Sequence, residues 1–252
     1  MISLEHIYFS YNHKAVLDDV RHAFHKGSFT AMMGPNGSGK TTLIRLMNGI
    51  LKPGKGTILL NKTPLGKIRR DTIARQMAYV PQQQSNVFPA TVFDTVLLGR
   101  KPYIQWNPGT KDKEITSSVL VELDLQDIAF KDINRLSSGQ RQRVFIARAL
   151  AQQPDIILLD EPTANLDLQH QHELMALLQH LSNTGITVIV AIHDLNLAVN
   201  YCSDFMLLDA GKLVAHGGRD IISQELIEYV YKVKVRLIQQ DGDTYIIPLK
   251  PI

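Results

Sequence analysis

The chain has 252 residues, 44% of them hydrophobic, which suffices for a packed core in one or two domains. Its formal charge of +3 and pI of 8.9 are too mild for the concentrated basic stripe that nucleic acid binding leaves, so no nucleic-acid partner is expected. The longest apolar runs, such as ITVIVAI at 186–192, fall far short of the roughly 18–20 residues that span a bilayer. The N-terminus MISLEHIYFS lacks the basic-then-apolar order of a signal peptide, and the lone Cys202 excludes an intrachain disulfide or a multi-cysteine metal site. A cytosolic chain is expected, with Cys202 as a small packed residue.

Residues 1–33 alternate apolar and polar (ISLEHIYFSY) and close on the run FTAMM, a strand pattern that leads into GPNGSGKT at 34–41. A helix is predicted over about 40–50, after which GTILLNKTPL and QMAYVP read as strands separated by a basic stretch. From about 90 to 153 the spacing turns helical in TVFDTVLLGR, KEITSSVLVELDL and GQRQRVFIARALAQQ, with turn signals in KPYIQWNPGT. This predicts an inserted helical subdomain. A buried strand DIILLD follows, then a helix at about 168–182, a strand TVIVAI, a helix from Asp194, and a hairpin around Asp209-Ala210-Gly211. The tail from about 219 reads as helix and then strands, with the Asp-Gly of QQDGDT as a turn. The pattern is α/β.

GPNGSGKT matches G-x-x-x-x-G-K-[ST] between a strand and an apolar helix. Gly34, Gly37 and Gly39, with Pro35, Asn36 and Ser38 between them, let the backbone curl so that successive N–H groups face phosphate oxygens at a helix N-terminus. Lys40 is expected to bridge the β- and γ-phosphates, the Thr41 hydroxyl to ligand Mg²⁺, and Thr42 to donate near the α-phosphate. IILLDEPT supplies the acidic half: Asp160, at the carboxyl end of a buried parallel strand, holds the Mg²⁺ shell. Glu161 is expected to point the other way along the pleat edge and polarise a water for in-line attack.

In order, the sequence carries this loop, VPQ ending in Gln82, LSSGQ, LLDEP, ANLD and AIHD. With these motifs it resembles, over nearly its whole length, the nucleotide-binding subunit of an ATP-binding-cassette (ABC) transporter. The resemblance implies a P-loop NTPase core of ABC type, with a mixed N-terminal β-subdomain and an inserted all-helical subdomain, hydrolysing ATP with Mg²⁺. It implies a single nucleotide-binding domain: core 1–84 and 154–218, helical subdomain 85–153, C-terminal helix and strands 219–252. Tyr11 stands where the family has an aromatic that stacks on adenine. Gln82, favoured by Pro81 within the run QQQ at 82–84, matches the glutamine that contacts Mg²⁺ and attacking water and senses the membrane partner. His193 matches the histidine that reaches the γ-phosphate.

LSSGQ occupies the signature position, whose small residues face the γ-phosphate held by a second subunit. The resemblance thus implies a head-to-tail homodimer in which Ser137, Ser138, Gly139 and Gln140 of one copy close over Lys40 and Thr41 of the other, with Asp167 coupling the two sites. Ser138 replaces the first of the two usual glycines, where serine requires an ordinary backbone angle. Arg141, Arg143 and Arg148 read as a solvated helix face.

LLGRKPYIQW at 97–106 is similar to cassettes that energise uptake of ferric siderophores, haem and cobalamin, as are EPTANLDLQHQ, HDLNLAVNYCSD and YVYKVKVRLI. That subgroup implies a protein peripheral on the cytoplasmic side of the plasma (inner) membrane. Its partners would be integral membrane permease subunits and, indirectly, a substrate-binding protein. Val87, Phe88, Tyr103 and Trp106 line either a groove for a permease coupling helix or the core of the helical subdomain. A cytosolic cassette of iron–sulfur cluster assembly and an exporter ATPase are the alternatives. Cassettes of translation or DNA repair normally carry two cassettes or a long coiled coil, neither of which is present.

Overall fold

A computed structural model describes residues 1–82, 89–240 and 242–252. Strands β1 (Ile2–Tyr11) and β2 (Lys14–Ala23) form an antiparallel hairpin, and β3 (Phe29–Met33) leaves it for a second, central sheet. After α1 (Lys40–Met47), β4 (Lys55–Leu60) returns to pair antiparallel with β1 and carries the short β5 (Thr63–Pro64). The basic stretch that follows is not a simple connection. It winds into α2 (Arg70–Gln76), a short helix that fully buries only Ile73, before β6 (Met77–Val80).

The helical region holds α3 (Val92–Leu97), continued by a 3₁₀ turn to Tyr103, then α4 (Thr110–Glu122) and α5 (Ser138–Ala151). The Thr91 hydroxyl caps α3 by accepting the Asp94 N–H at 3.0 Å. The chain then alternates β7 (Ile156–Asp160), α6 (Leu168–Asn183), β8 (Thr187–Ala191), α7 (Leu195–Tyr201) and β9 (Asp204–Asp209). Left-handed Ala210 (φ 46°) and Gly211 (φ 82°) turn β9 back into β10 (Lys212–Gly217), the two-residue turn such a hairpin prefers. α8 (Gln224–Tyr231) and the antiparallel pair β11 (Val233–Gln240) and β12 (Asp243–Pro251) complete the chain.

The central sheet runs β10-β9-β3-β8-β7-β6, parallel except for β10. Every residue of β3, β7 and β8 is buried, because a parallel sheet is covered on both faces and its strands become continuous apolar runs. Alternate side chains feed two cores. Met32, Leu158, Ile189, Ala191 and Met206 pack with Leu43, Ile44 and Met47 of α1. Ala31, Met33, Ile157, Leu159 and Val190 pack with Phe145, Leu174 and Ala198 from α5, α6 and α7. The carboxyl ends of β3, β7 and β8 therefore reach the same edge, where the motifs lie.

Several side chains differ from expectation. Trp106 is 91% exposed, so it is not core. Tyr103 is half-buried beside the Arg75 and Arg100 guanidinium groups, 5.0 and 4.0 Å from its ring centre, and its hydroxyl donates to the Gln152 carbonyl. Val87 and Phe88 lie outside the described residues. The arginines of α5 are not a solvated face: all three are half-buried, Arg141 donating to the Leu136 carbonyl, Arg143 pairing with Glu173, and Arg148 lying over Phe145. Cys202 is 2% exposed, and burial pushes its thiol well above the usual range. Among the described residues, no helix is long and apolar enough to cross a membrane.

Candidate nucleotide site

The loop between β3 and α1 needs its glycines for two different reasons. Gly37 (φ 80°) has open space around it, so only its left-handed backbone excludes a side chain. Gly39 (φ 104°) is left-handed as well, and a Cβ there would lie 2.6 Å from Leu17 Cδ2. Within the loop, Ser38 is buried and its Oγ has no hydrogen-bond partner among the described residues. An orphaned hydroxyl inside a cradle of backbone N–H groups fits an incoming phosphate oxygen. Lys40, 5% exposed, donates to the carbonyls of Gly34 at 2.7 Å and Pro35 at 3.0 Å. Burial lowers its pKa, and the charges of Glu161 and Asp160 pull it back up.

Around the loop opens a cleft of about 570 Å³, the size of a small-ligand site. Asn36, Lys40, Thr41, Thr42 and Glu161 line its floor, and Tyr11 lies on its wall. Tyr11 is 42% exposed, and its ring stands T-shaped against Phe9 with centroids 4.8 Å apart.

At the floor the Thr41 hydroxyl donates to Asp160 Oδ1 at 2.8 Å. Asp160 is 1% exposed, and burial raises its pKa, opposed by the Thr41 bond and the charges of Arg45 and Lys40. The charge of Arg45 acts on both Asp160 and the half-buried Tyr79, whose hydroxyl burial and the Asp160 charge push up. A hydroxyl and a carboxylate oxygen side by side are a donor set that suits Mg²⁺, which binds through one or two carboxylates and completes its shell with water and phosphate.

Glu161 does not follow the pleat. It has left the strand, takes a left-handed backbone angle (φ 50°), and its N–H is held by the Ala191 carbonyl at 3.0 Å. A positive φ at a non-glycine residue costs on the order of 1–3 kcal/mol and persists only where surroundings enforce it. The turn brings Glu161 into the cleft beside Lys40 and Thr41, where pleat alternation would have aimed it away. There its carboxylate accepts the Gln82 amide on one oxygen and meets His193 Nε2 on the other. Gln82 and His193, expected to address Mg²⁺ and the γ-phosphate, thus converge on the candidate base.

The signature residues form a separate site outside the cleft. Ser137 caps α5: its Oγ accepts the Gln140 N–H at 3.2 Å, and Gln140 Oε1 accepts the Ser137 N–H at 3.3 Å. Ser138 is the first helical residue, and its backbone is not left-handed. Gly139 lies against His170, and a Cβ there would come within 2.5 Å of His170 Cδ2, so the ring would have to shift. Asp167 caps α6 with Oδ1, accepting the His170 N–H at 2.9 Å and meeting His170 Nδ1 at 2.6 Å. His170 therefore joins the Asp167 turn to the signature turn. The sequence reading missed it, and its position three residues after a capping Asp was the available signal.

A glycine loop wrapped on a helix start, a hydroxyl on a buried strand-end carboxylate, and a second carboxylate held over them define a P-loop nucleotide triphosphatase. The family described as ABC transporter matches residues 17–164, and the chain belongs to it. An uncharacterised ABC transporter ATP-binding protein of Methanocaldococcus jannaschii, MJ0089, is 41% identical, covering 99% of this chain and 98% of its own. The petrobactin import ATP-binding protein FpuD of Bacillus anthracis is 37% identical, covering 90% and 85%. The manganese transport system ATP-binding protein MntB of Listeria innocua is 38% identical, covering 91% and 95%. Among solved structures, a chain of an inward-facing metal-chelate type ABC transporter superposes with a TM-score of 0.86 at 30% identity, covering 98% and 96%. The ATP-binding cassette MJ0796, a dimer with ADP and phosphate, superposes at 0.75 with 29% identity, covering 87% and 99%. The fold is the ABC ATPase fold, and the chain hydrolyses ATP with Mg²⁺ as cofactor.

Proposed function

We propose that the chain is the energising subunit of an importer for metal chelates such as ferric siderophores, haem or cobalamin. It works as a head-to-tail homodimer, peripheral on the cytoplasmic face of the membrane. The observation that carries this reading is likeness over 90% of the chain to an import ATPase and over 98% of it to a metal-chelate type transporter cassette. Residues 1–84 and 154–218 act as the nucleotide-binding core, 85–153 as the helical arm, and 219–252 as the C-terminal module.

In this reading Tyr11 stacks on adenine, and the 34–42 segment holds the phosphates through backbone N–H groups, Ser38, Lys40, Thr41 and Thr42. Thr41, Asp160 and Gln82 would hold Mg²⁺, which would supply charge neutralisation at the phosphates. Glu161 takes a proton from the attacking water, and the His193 and Gln82 contacts on its two oxygens aim it. Ser137, Ser138, Gly139 and Gln140 address the nucleotide of the partner copy, and Asp167 couples the sites. The signature turn's place outside its own cleft supports that division.

A groove of about 520 Å³ beside α2 suits a permease helix. Ile50, Ile73, Leu98 and Gln152 line it, and Leu98 is 61% exposed. Tyr79 of β6 lines it too, and its hydroxyl feels the Asp160 charge, which links the groove electrostatically to the site. A substrate-binding protein would deliver cargo to that permease. Deleting the gene is expected to abolish growth on one chelated iron or cobalamin source, restored by the parental protein and not by Glu161→Gln. The likeness to a manganese system favours a second reading, import of the free ion. Rescue of the deletion by added Mn²⁺ alone, with normal use of every chelate, selects the second reading and rejects the first.

A further inference from the structure

The C-terminal module lies wholly beyond the segment that the family description matches, yet it touches the nucleotide site from behind. Tyr231, the last residue of α8, offers its phenolic oxygen to the backbone N–H of Gly34 at 2.9 Å, although the two residues are 197 positions apart. Gly34 opens the phosphate loop and has little room. Its φ is 142°, and a Cβ would lie 2.0 Å from the Leu208 carbonyl of β9. Its own carbonyl accepts Lys40 Nζ. The root of the loop is thus gripped on one side by a lysine of the loop helix and on the other by a phenol of the tail.

The two grips have different fates. Lys40 spends two of its three N–H donors on the Gly34 and Pro35 carbonyls and must share or re-aim them when a phosphate arrives, whereas nothing about nucleotide binding requires Tyr231 to move. The phenol is also well anchored. Ile227 and Val230 fix α8 in the core. Its end is stapled by Glu228, which accepts from Gln224 Nε2, from Lys234 Nζ at 2.8 Å and from the Val235 N–H at 3.1 Å. β12 is in turn zipped to α7, the helix after His193. Asn196 exchanges hydrogen bonds with the Ile246 backbone and Asn200 with the Thr244 backbone. The tail therefore connects the loop root with the helix that follows His193. Burial pushes the Tyr231 hydroxyl up to about 12, so it stays neutral over the working pH range.

From this geometry we infer that Tyr231 is a positioning residue for the ATP site. Its hydroxyl holds the first peptide of the phosphate loop in the nucleotide-accepting shape while Lys40 turns a donor to the phosphate. The inference depends on ATP binding by this chain and not on what is transported, so failure of the importer reading leaves it standing.

Tyr231→Phe removes the acceptor and keeps the ring. The dissociation constant for Mg-ADP, measured by calorimetry, and the KM for ATP are expected to rise about three- to tenfold, the worth of one neutral hydrogen bond. The kcat at saturation should stay within about twofold, because the substitution does not touch Glu161. Val230→Ala is the control: it opens a cavity in the same helix, lowers Tm and leaves the phenol alone. Unchanged affinity and KM in Tyr231→Phe would overturn the inference, as would an equal rise in Val230→Ala. Should Tyr231→Phe not fold, the Gly34 amide proton of the full-length parental protein decides. Protection from solvent exchange supports the bond, and exchange at the rate of an open loop amide rejects it.

Discussion

Glu161 Oε1 meets His193 Nε2 directly, while the other oxygen of Glu161 takes the Gln82 amide, so both contacts of this carboxylate come from other elements of the sheet edge. A base aimed by two partners should lose most when its own charge goes and less when one partner goes. Glu161→Gln is expected to keep ATP binding and to lower steady-state hydrolysis by at least about a hundredfold. His193→Ala should lower it by about tenfold or more and leave ADP affinity unchanged. Near-parental turnover of Glu161→Gln would remove Glu161 as base.

Lys40 is buried, with its charge satisfied by two loop carbonyls. Lys40→Ala therefore removes a phosphate contact and also frees the loop it ties down. Nucleotide affinity should fall by at least about tenfold, in line with roughly 1.5–3 kcal/mol for a charge-assisted hydrogen bond. Equal Mg-ADP affinity in the variant and the parent takes Lys40 out of the site.

Gly139 touches the His170 ring, so Gly139→Ala must displace a ring that Asp167 holds. Hydrolysis is expected to fall by about tenfold or more, because the displaced ring disturbs both the Asp167 turn and the signature turn that it joins. Shortening the partner should relieve the clash, and the double variant Gly139→Ala with His170→Ser should recover part of the rate. A double variant no faster than Gly139→Ala alone would mean that the glycine serves the nucleotide and not His170.

The phosphate loop was legible because its spacing is itself the chemistry: glycines where the backbone turns left-handed, and Lys40 and Thr41 on the first turn of a helix. The parallel strands were legible for a similar reason, since burial on both faces writes an unbroken apolar run such as IILLD. What stayed hidden depended on exceptions or on distance. The chemistry of Glu161 was readable from LLDEP, but its left-handed turn into the cleft was not, because that angle sits at a residue type that rarely shows one. α2 was missed because a helix of seven residues that fully buries one of them leaves no periodic stripe. His170 against Gly139 and Tyr231 against Gly34 join segments far apart in the chain, and no local pattern encodes such pairs.

The composite-site proposal has its own test. Glu161→Gln chains with Mg-ATP should form a dimer detectable by light scattering, because nucleotide that binds across an interface stabilises the associated state. Ser137→Arg in that background should abolish the dimer while leaving Mg-ADP affinity intact, since Ser137 lies outside the cleft of its own chain. Loss of nucleotide affinity in the Ser137→Arg chain alone would argue for use of the signature turn within one chain.

His22 links stability to acid through a part of the fold remote from the cleft. Its ring lies edge-on to Phe24 and to His216, with centroids 4.6 and 5.0 Å apart. Burial lowers its pKa to about 4, helped by the charges of His216 and His25 and opposed by Asp204. The unfolded chain takes up this proton near pH 6.5, well before the folded chain does, so acid favours unfolding. The stability from keeping His22 neutral is complete above the unfolded value and is lost as pH falls toward the folded one. Between pH 8 and pH 5 this single group should cost the fold about 2 kcal/mol. His22→Gln cannot titrate there, and in urea unfolding it should lose less stability over that interval than the parent by about the same amount. Parallel losses in the two proteins would show that His22 is protonated in the folded state and that the acid sensitivity has another source.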